Sequence, residues 1–390
     1  MTADPFTGVM YHWIGGLAAA SFYLPYKAVK KWSWETYWLV GGFFSWILGP
    51  IVFAAILVPN LAGIFRESPA SSLFWAYAFG VLWGIGGLTF GLSVRYLGIA
   101  LGYAVTLGMC AIFGTLIPPA FHGQISTMAA NRGGQVTLLG IAVCVIGIVF
   151  SGLAGMSKER ELGSRQRTAT VEEFGFVKGM LVALFAGMAS AAMAFGLDAG
   201  SSIAKAAQQQ LLSSGRSDIW QGLPVLIIVL LGGFTTNFIW CAILNLKNGT
   251  ASQYVSNGRD NAPIAANYFF AALAGLTWYF QFFFYTMGTT KMGPYGFSSW
   301  TLHMASIIIF SMLWGVALKE WRGTSKRTHC LIAAGLLLLI ASTIIIGWGN
   351  YVKAKEARAA STVSLSVRAL RFTEPTELSK SGSIQSKAKL

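Results

Sequence analysis

The sequence predicts an all-α integral membrane protein, with ten transmembrane helices arranged as two inverted five-helix repeats. Three observations lead there. Of 390 residues, 55% are hydrophobic and only 11% charged, whereas a soluble domain carries roughly 25% charged residues. The apolar residues gather into runs of ~18–25, each able to cross ~30 Å of hydrocarbon as a helix. The chain also echoes itself at an offset of 195 residues: Gly80 matches Gly275, Trp83 matches Trp278, Gly98 matches Gly293, and Thr106-Leu107 matches Thr301-Leu302. Five spans per half is an odd number, so the second copy must be inverted in the membrane, with a site expected where the halves meet.

The spans are expected at about 10–26, 36–58, 72–94, 98–119, 135–155, 176–199, 222–246, 265–288, 294–318 and 328–350. The corresponding units are a first repeat over 1–155, a cytoplasmic linker over 156–175, a second repeat over 176–350 and a disordered polar, basic tail over 351–390. Span 1 carries His12, Gly16, Ala20 and Tyr23 on one helical face. Three lysines (Lys27, Lys30, Lys31) and the aromatic belt Trp32, Trp34, Tyr37 and Trp38 then separate it from span 2. Glu35 sits at the head of span 2. An ionisable group there is a functional-site candidate, the alternative being an interfacial salt bridge to Lys30 or Lys31. Spans 3 and 4 are rich in glycine at four-residue spacing, as in Gly80 with Gly84 and Gly98 with Gly102. Such spacing lets helix backbones approach closely. Span 6 ends near Asp198. Span 7 carries Asn237, Cys241 and Asn245 in a stripe; span 8 carries Trp278, Gln281 and Tyr285; span 9 carries Ser299, His303 and Ser306. Polar stripes facing lipid are expensive, so these should face inward.

The net charge of +14 does not point to nucleic acid, because the basic residues lie in short loops and form no continuous groove. They orient the chain. Loops and flanks after the odd-numbered spans hold fifteen lysines and arginines, against five after the even-numbered ones. The positive-inside rule therefore puts the first set in the cytoplasm and both termini outside. The first nine residues hold Asp4 and no Lys or Arg, so span 1 is expected to serve as its own insertion signal. Cys110, Cys144, Cys241 and Cys330 have no paired spacing and read as packing residues. No Walker A or HExxH pattern occurs. No cofactor is expected, and no acid pair or metal-ligand cluster marks an enzyme.

Few groups could carry chemistry. Of fourteen acids, only Glu35 and Asp198 fall in or near a span; His12 and His303 complete the titratable set. Aromatic planes beside amides and a titratable group suit a sugar, whose C–H face packs on a ring while its hydroxyls need donors and acceptors together.

The chain resembles the L-rhamnose–proton symporters, a branch of the drug/metabolite transporter superfamily. The resemblance rests on His12-Trp13-Ile14-Gly15, Lys31-Trp32-Ser33-Trp34-Glu35-Thr36, Leu82-Trp83-Gly84-Ile85-Gly86 and Arg95-Tyr96-Leu97-Gly98. It continues in Gln281-Phe282-Phe283-Phe284-Tyr285, Leu302-His303-Met304 and Leu318-Lys319-Glu320-Trp321. It covers about residues 10–350. It implies a multi-pass protein of the bacterial inner membrane that imports a deoxysugar with protons. The sugar-binding candidates are Tyr23, Glu35, Trp83, Asn237 and Trp278, with Gln281, Tyr285, Ser299 and His303. Glu35, Asp198 and His303 are the candidates for proton coupling, with Glu35 leading. The alternatives are an uncoupled or differently specific carrier and a membrane sugar sensor. Three departures stand out. Gly296 and Phe297 lie where the family often carries an acid, Asp198 is an unexpected acid, and the tail is additional.

Overall fold

The computed structural model describes residues 4–97, 99–166, 176–255 and 262–373. Among the described residues there are helices and turns and no strand. Helix α1 (Pro5–Ser21) starts at Asp4, whose carboxylate accepts from Thr7 N at 3.3 Å and Thr7 Oγ1 at 2.6 Å. This cap satisfies one of the free amides at the helix start and holds the Asp4 carboxyl below its ordinary range. The single turn α2 (Tyr23–Tyr26) follows after one residue. Helix α3 (Trp34–Phe43), a π-helical turn over Phe44–Leu48 and α4 (Gly49–Leu57) form one continuous segment. Then come α5 (Leu61–Glu67), α6 (Ala70–Leu97), α7 (Ile99–Phe121), α8 (Gln124–Ala129) and α9 (Arg132–Gln166). The second part holds α10 (Phe176–Ala199), α11 (Ser201–Ser213), α12 (Leu223–Asn248), α13 (Ile264–Lys291), α14 (Ser299–Ala317) and α15 (Lys326–Thr373).

Seven segments among the described residues are long and apolar enough to cross a bilayer: Trp34–Leu57, Ala70–Ser93, Arg132–Lys158, Val177–Ala199, Asp218–Asn248, Ser299–Ala317 and Lys326–Ala357. Their outward faces present large apolar side chains such as Ile56, Phe74, Leu181 and Leu337, surface that suits lipid rather than water. The other three expected spans fall on α1 with α2, on α7 and on α13.

Three stretches expected to be irregular are helical. The linker expected from 156 begins inside α9, which continues to Gln166. The tail expected from 351 begins inside α15, which continues to Thr373. The residues there, Lys353-Ala-Lys-Glu-Ala-Arg-Ala-Ala, are strong helix formers, so propensity carries the helix past the apolar run. Lys353 and Glu356 pair across one turn at 3.8 Å. The loop after α10 holds α11, which buries Ile203, Ala207 and Leu211 at four-residue spacing.

Helix α9 packs on α15, α6 on both α10 and α12, α7 on α10, α1 on both α13 and α14, and α3 on both α12 and α13. Glycines set the closest approaches. A Cβ on Gly80 would collide with the Val229 carbonyl of α12, and one on Gly275 with the Gly41 carbonyl of α3.

Contacts between loops sort the segment ends into two sets. In one set Asn267 brackets Lys30, accepting from its N–H at 3.0 Å and donating to its carbonyl at 2.8 Å. There too Ser33 N donates to Gln253 Oε1 at 2.8 Å, and Ser325 Oγ donates to Glu161 at 2.6 Å. In the other set Asp4 N donates to the Lys291 carbonyl at 3.0 Å, and Arg216 reaches the Leu57 carbonyl at 3.2 Å. Each contact joins connections of like parity, as successive antiparallel helices require.

Candidate functional site

Helix α1 packs against both α13 and α14 and is the largest neighbour of each. Small residues permit this. A Cβ on Gly15 would stand 2.8 Å from the Gln281 carbonyl oxygen, and one on Gly288 would stand 2.7 Å from His12 Nε2. The Ser306 hydroxyl is 2.8 Å from the carbonyls of both His12 and His303, tying α1 to α14. Side chains of α13 and α14 also meet directly, Phe282 and Tyr285 lying in ring contact with His303, and α1 adds His12 to the group.

The packing gathers His12, Gln281, Tyr285, Ser299 and His303, none more than 6% exposed. The Tyr285 ring centroid is 5.3 Å from that of His12 and 5.2 Å from that of His303. Among the described residues, both ring nitrogens of each histidine, Gln281 Nε2 and Ser299 Oγ have no hydrogen-bond partner. More than about 90% of buried polar groups in folded proteins are paired. These atoms are left open to bonds from a further partner.

Phe282 joins this group to a tryptophan cluster, at 5.8 Å from His303 and 5.2 Å from Trp278. Trp46, Trp83 and Trp278 meet one another at 5.5–6.1 Å. Trp83 and Trp278 are the pair related by the 195-residue offset, and their ring centroids are 5.7 Å apart. Trp46 sits on the π-helical turn. Such a turn inserts a residue and re-aims the side chains around it, a device frequent at functional sites. Trp38 flanks Trp46 at 6.0 Å and donates from Nε1 to Asn237 Oδ1 at 3.1 Å. Asn237 in turn donates to the Gly233 carbonyl at 2.9 Å, so it supports the cluster by holding Trp38. A small cleft of about 10 Å³, room for about one water, lies against Tyr26, Trp38, Ser45, Trp46 and Trp278.

The remaining candidates lie elsewhere. Glu35 is 5% exposed, at the start of α3. Its Oε1 accepts from Asn248 Nδ2 at 3.0 Å and from Thr250 Oγ1 at 2.9 Å. The Thr250 hydroxyl is also 2.9 Å from Asn245 Oδ1, and Thr36 lies within reach of Asn245 and Gln253. Glu35 thus anchors a polar network that ties α3 to the end of α12. Asp198 does not join a buried site. It is 44% exposed at the end of α10 and lies 2.9 Å from His122 Nε2. Tyr23 is half exposed and packs on Phe22 and Tyr26, outside the buried group. Sequence reasoning misses Trp46, Asn248 and Thr250. Trp46 is one aromatic in an apolar run, and nothing in the pattern announces the π-helical turn. Asn248 and Thr250 read as loop polarity.

Residues 1–352 match the family model of the L-rhamnose-proton symport protein. The chain belongs to that family. Curated relatives called L-rhamnose-proton symporter include one from Klebsiella pneumoniae, 37% identical over 343 residues. Others come from Shigella dysenteriae, 36% identical over 343 residues, and Yersinia pestis, 36% identical over 345. Each alignment covers 88% of this chain and 97% of the relative. The family is one of membrane transporters, not of enzymes.

Proposed function

We propose that the protein is a secondary transporter that imports L-rhamnose or a closely related 6-deoxy sugar together with protons, by alternating access, across a bacterial inner membrane. The observation that carries this reading is the group of unpaired buried polar atoms on α1, α13 and α14, set beside the Trp46–Trp83–Trp278 cluster. A sugar offers hydroxyls to the first and a C–H face to the second. In this reading Trp278, Trp46 and Trp83 supply the aromatic wall. Gln281, Ser299 and His303 reach the hydroxyls, while Tyr285 and Phe282 back them. Helices of both expected halves build the site, as in carriers whose substrate binds at the repeat interface.

Ten spans in two inverted halves, 1–155 and 176–350, fit this function, and the packing supports them. Exchanging the halves turns α1 on α13 into α10 on α6, and α1 on α14 into α10 on α7. It also turns α3 on α13 into α12 on α6, and leaves α9 on α15 and α3 on α12 unchanged. Glu35 takes the part of a clamp at one end of the α3–α12 contact, because both donors on its carboxylate are neutral groups of the other half. Proton coupling passes to His303, which is buried at the sugar site.

Purified protein in proteoliposomes tests the reading. Labelled L-rhamnose should accumulate when the outside is made acidic relative to the lumen, and the gradient of sugar should collapse when the pH step is dissipated. A protein that binds the sugar without accumulating it would be a sensor, and one that equilibrates the sugar regardless of pH would be an uncoupled carrier.

A further inference from the structure

A proton-coupled carrier needs a titratable group where its halves meet. Helix α1 brings His12 from the first half and α14 brings His303 from the second. The two ring centroids are 6.4 Å apart, with planes at 61°. Both rings are fully buried, and all four nitrogens lack a partner among the described residues. The facing titratable group on α13 is Tyr285, in ring contact with both. From α7, Cys110 lies against Trp300, its carbonyl accepting from Trp300 Nε1 at 3.0 Å. The described ring contacts and charge interactions of the two imidazoles include no carboxylate, lysine or arginine. A direct N–H···N bond would bring the centroids to about 5 Å. At 6.4 Å the two rings stand too far apart for such a bond.

We propose that His12 and His303 act as one proton-binding unit, which holds a single shared proton and is closed by a hydroxyl of the transported sugar. The proposal rests on the sugar-carrier reading above. In the singly protonated pair, the imidazolium N–H donates to the hydroxyl oxygen, and the hydroxyl donates to the free lone pair of the neutral ring. One of those bonds is charge-assisted and roughly twice as strong as its neutral counterpart. A doubly protonated pair offers the hydroxyl no acceptor and sets two like charges together. Without the hydroxyl, a lone imidazolium in this apolar surrounding carries the full cost of burying a charge. Sugar therefore favours one proton over none or two, and by linkage the proton raises the affinity for sugar by the same factor. Since each half contributes one ring, movement between the halves opens the bridge and releases both partners together.

Two measurements test the pair. Calorimetric titration of L-rhamnose into the full chain in nanodiscs, run in buffers of different ionisation enthalpy, counts protons taken up on binding. We expect close to one proton for the parent and for His122→Gln, whose ring is outside the site. We expect none for His12→Gln or His303→Gln. Uptake of the parent's proton by either of those two variants overturns the proposal. The second measurement needs no sugar. Nitrogen-15 histidine spectra of the parent should show His12 and His303 titrating as one coupled step, with substitution of either ring shifting the other. Two independent titrations overturn the pair. A parent that binds no L-rhamnose sinks the sugar reading, and the histidine spectra still decide whether the rings act together.

Discussion

Gln281→Met separates a recognition residue from a packing residue, because the two roles predict opposite changes in stability. Gln281 is 5% exposed, and its Nε2 donates to nothing among the described residues. A buried donor left unsatisfied costs about 1–3 kcal/mol. Methionine is unbranched, of similar length and adaptable in packing, and a volume-conserving apolar exchange in a packed interior usually costs under about 1.5 kcal/mol. The penalty removed thus matches or exceeds the repacking cost. The sugar-free variant should melt at or above the parent's temperature. Binding should move the other way. A hydrogen bond to a buried sugar hydroxyl contributes about 0.5–1.5 kcal/mol, so L-rhamnose affinity should fall roughly twofold to tenfold. The rise in melting temperature on adding saturating sugar should shrink with it. Thermal shift with and without L-rhamnose reads both quantities in one experiment. A variant that melts well below the parent while binding sugar equally would make Gln281 a structural residue, and the site would have to be sought nearer α3 and α12.

Three further outcomes follow from the same geometry. Glu35→Gln keeps the oxygen that Asn248 and Thr250 bond and should preserve pH-driven accumulation; Glu35→Ala strands both donors at about 1–3 kcal/mol each and should lower thermal stability. Loss of accumulation in the Gln variant would return the proton to Glu35. The analogue of L-rhamnose with a 6-hydroxyl should bind at least several-fold more weakly, since a hydroxyl buried against the aromatic run Phe282–Tyr285 without a partner costs about 1–3 kcal/mol; equal binding in a competition assay would place the methyl elsewhere. Glu161, fully exposed, is held down to about 2 by the hydroxyls of Ser325 and Thr328 and the Ser325 amide. A depressed carboxyl pKa supplies stability above its ordinary value near 4.5, lost as pH falls toward 2. Exchange of the Ser325 amide should therefore be flat from neutral pH to about 5, after correction for intrinsic rate, and rise below it. Glu161→Gln should abolish that dependence.

The buried group is partly legible in the amino-acid sequence. Gln281, Tyr285, Ser299 and His303 stand at one-turn spacing on two helices, so helical periodicity alone puts each pair on one face. Periodicity cannot say which helix that face meets. Spans 8 and 9 are neighbours in sequence and invite pairing across their short turn. Yet Gly8, Gly15 and Gly288 have no side chains to hold α1 away, and α1 packs against both. The cost of a charge near lipid singles out Glu35, and it is indeed a fixed, buried acceptor. Its partners Asn248 and Thr250 lie more than 200 residues away, at a helix end that sequence spacing does not relate to it. The same cost singles out Asp198, but it lies in the last turn of α10 and is 44% exposed, where solvent and His122 satisfy it.

The same physics explains why hydropathy picks out seven segments where ten are expected. Among the described residues, α1 with α2 and α13 are not among the seven, and α7 contributes the shorter apolar stretch Val105–Phe121. Helix α13 carries Asn267, Thr277, Gln281, Thr286, Thr289 and Thr290 among its aromatics, and α1 is only 17 residues long with His12 near its middle. Neighbouring helices rather than lipid cover their polar faces, while α1 turns Phe6, Met10, Ile14 and Leu17 outward. Asn267 spends its amide on Lys30, and Thr286 donates to the Phe283 carbonyl at 3.0 Å. A span that meets other helices on most sides needs less apolar surface than one that meets lipid, so it can carry polar side chains at little cost. In a carrier those are the spans that hold the substrate. Helices α1 and α13, whose polar faces other helices cover, are also the ones that bring His12, Gln281 and Tyr285 into the buried group.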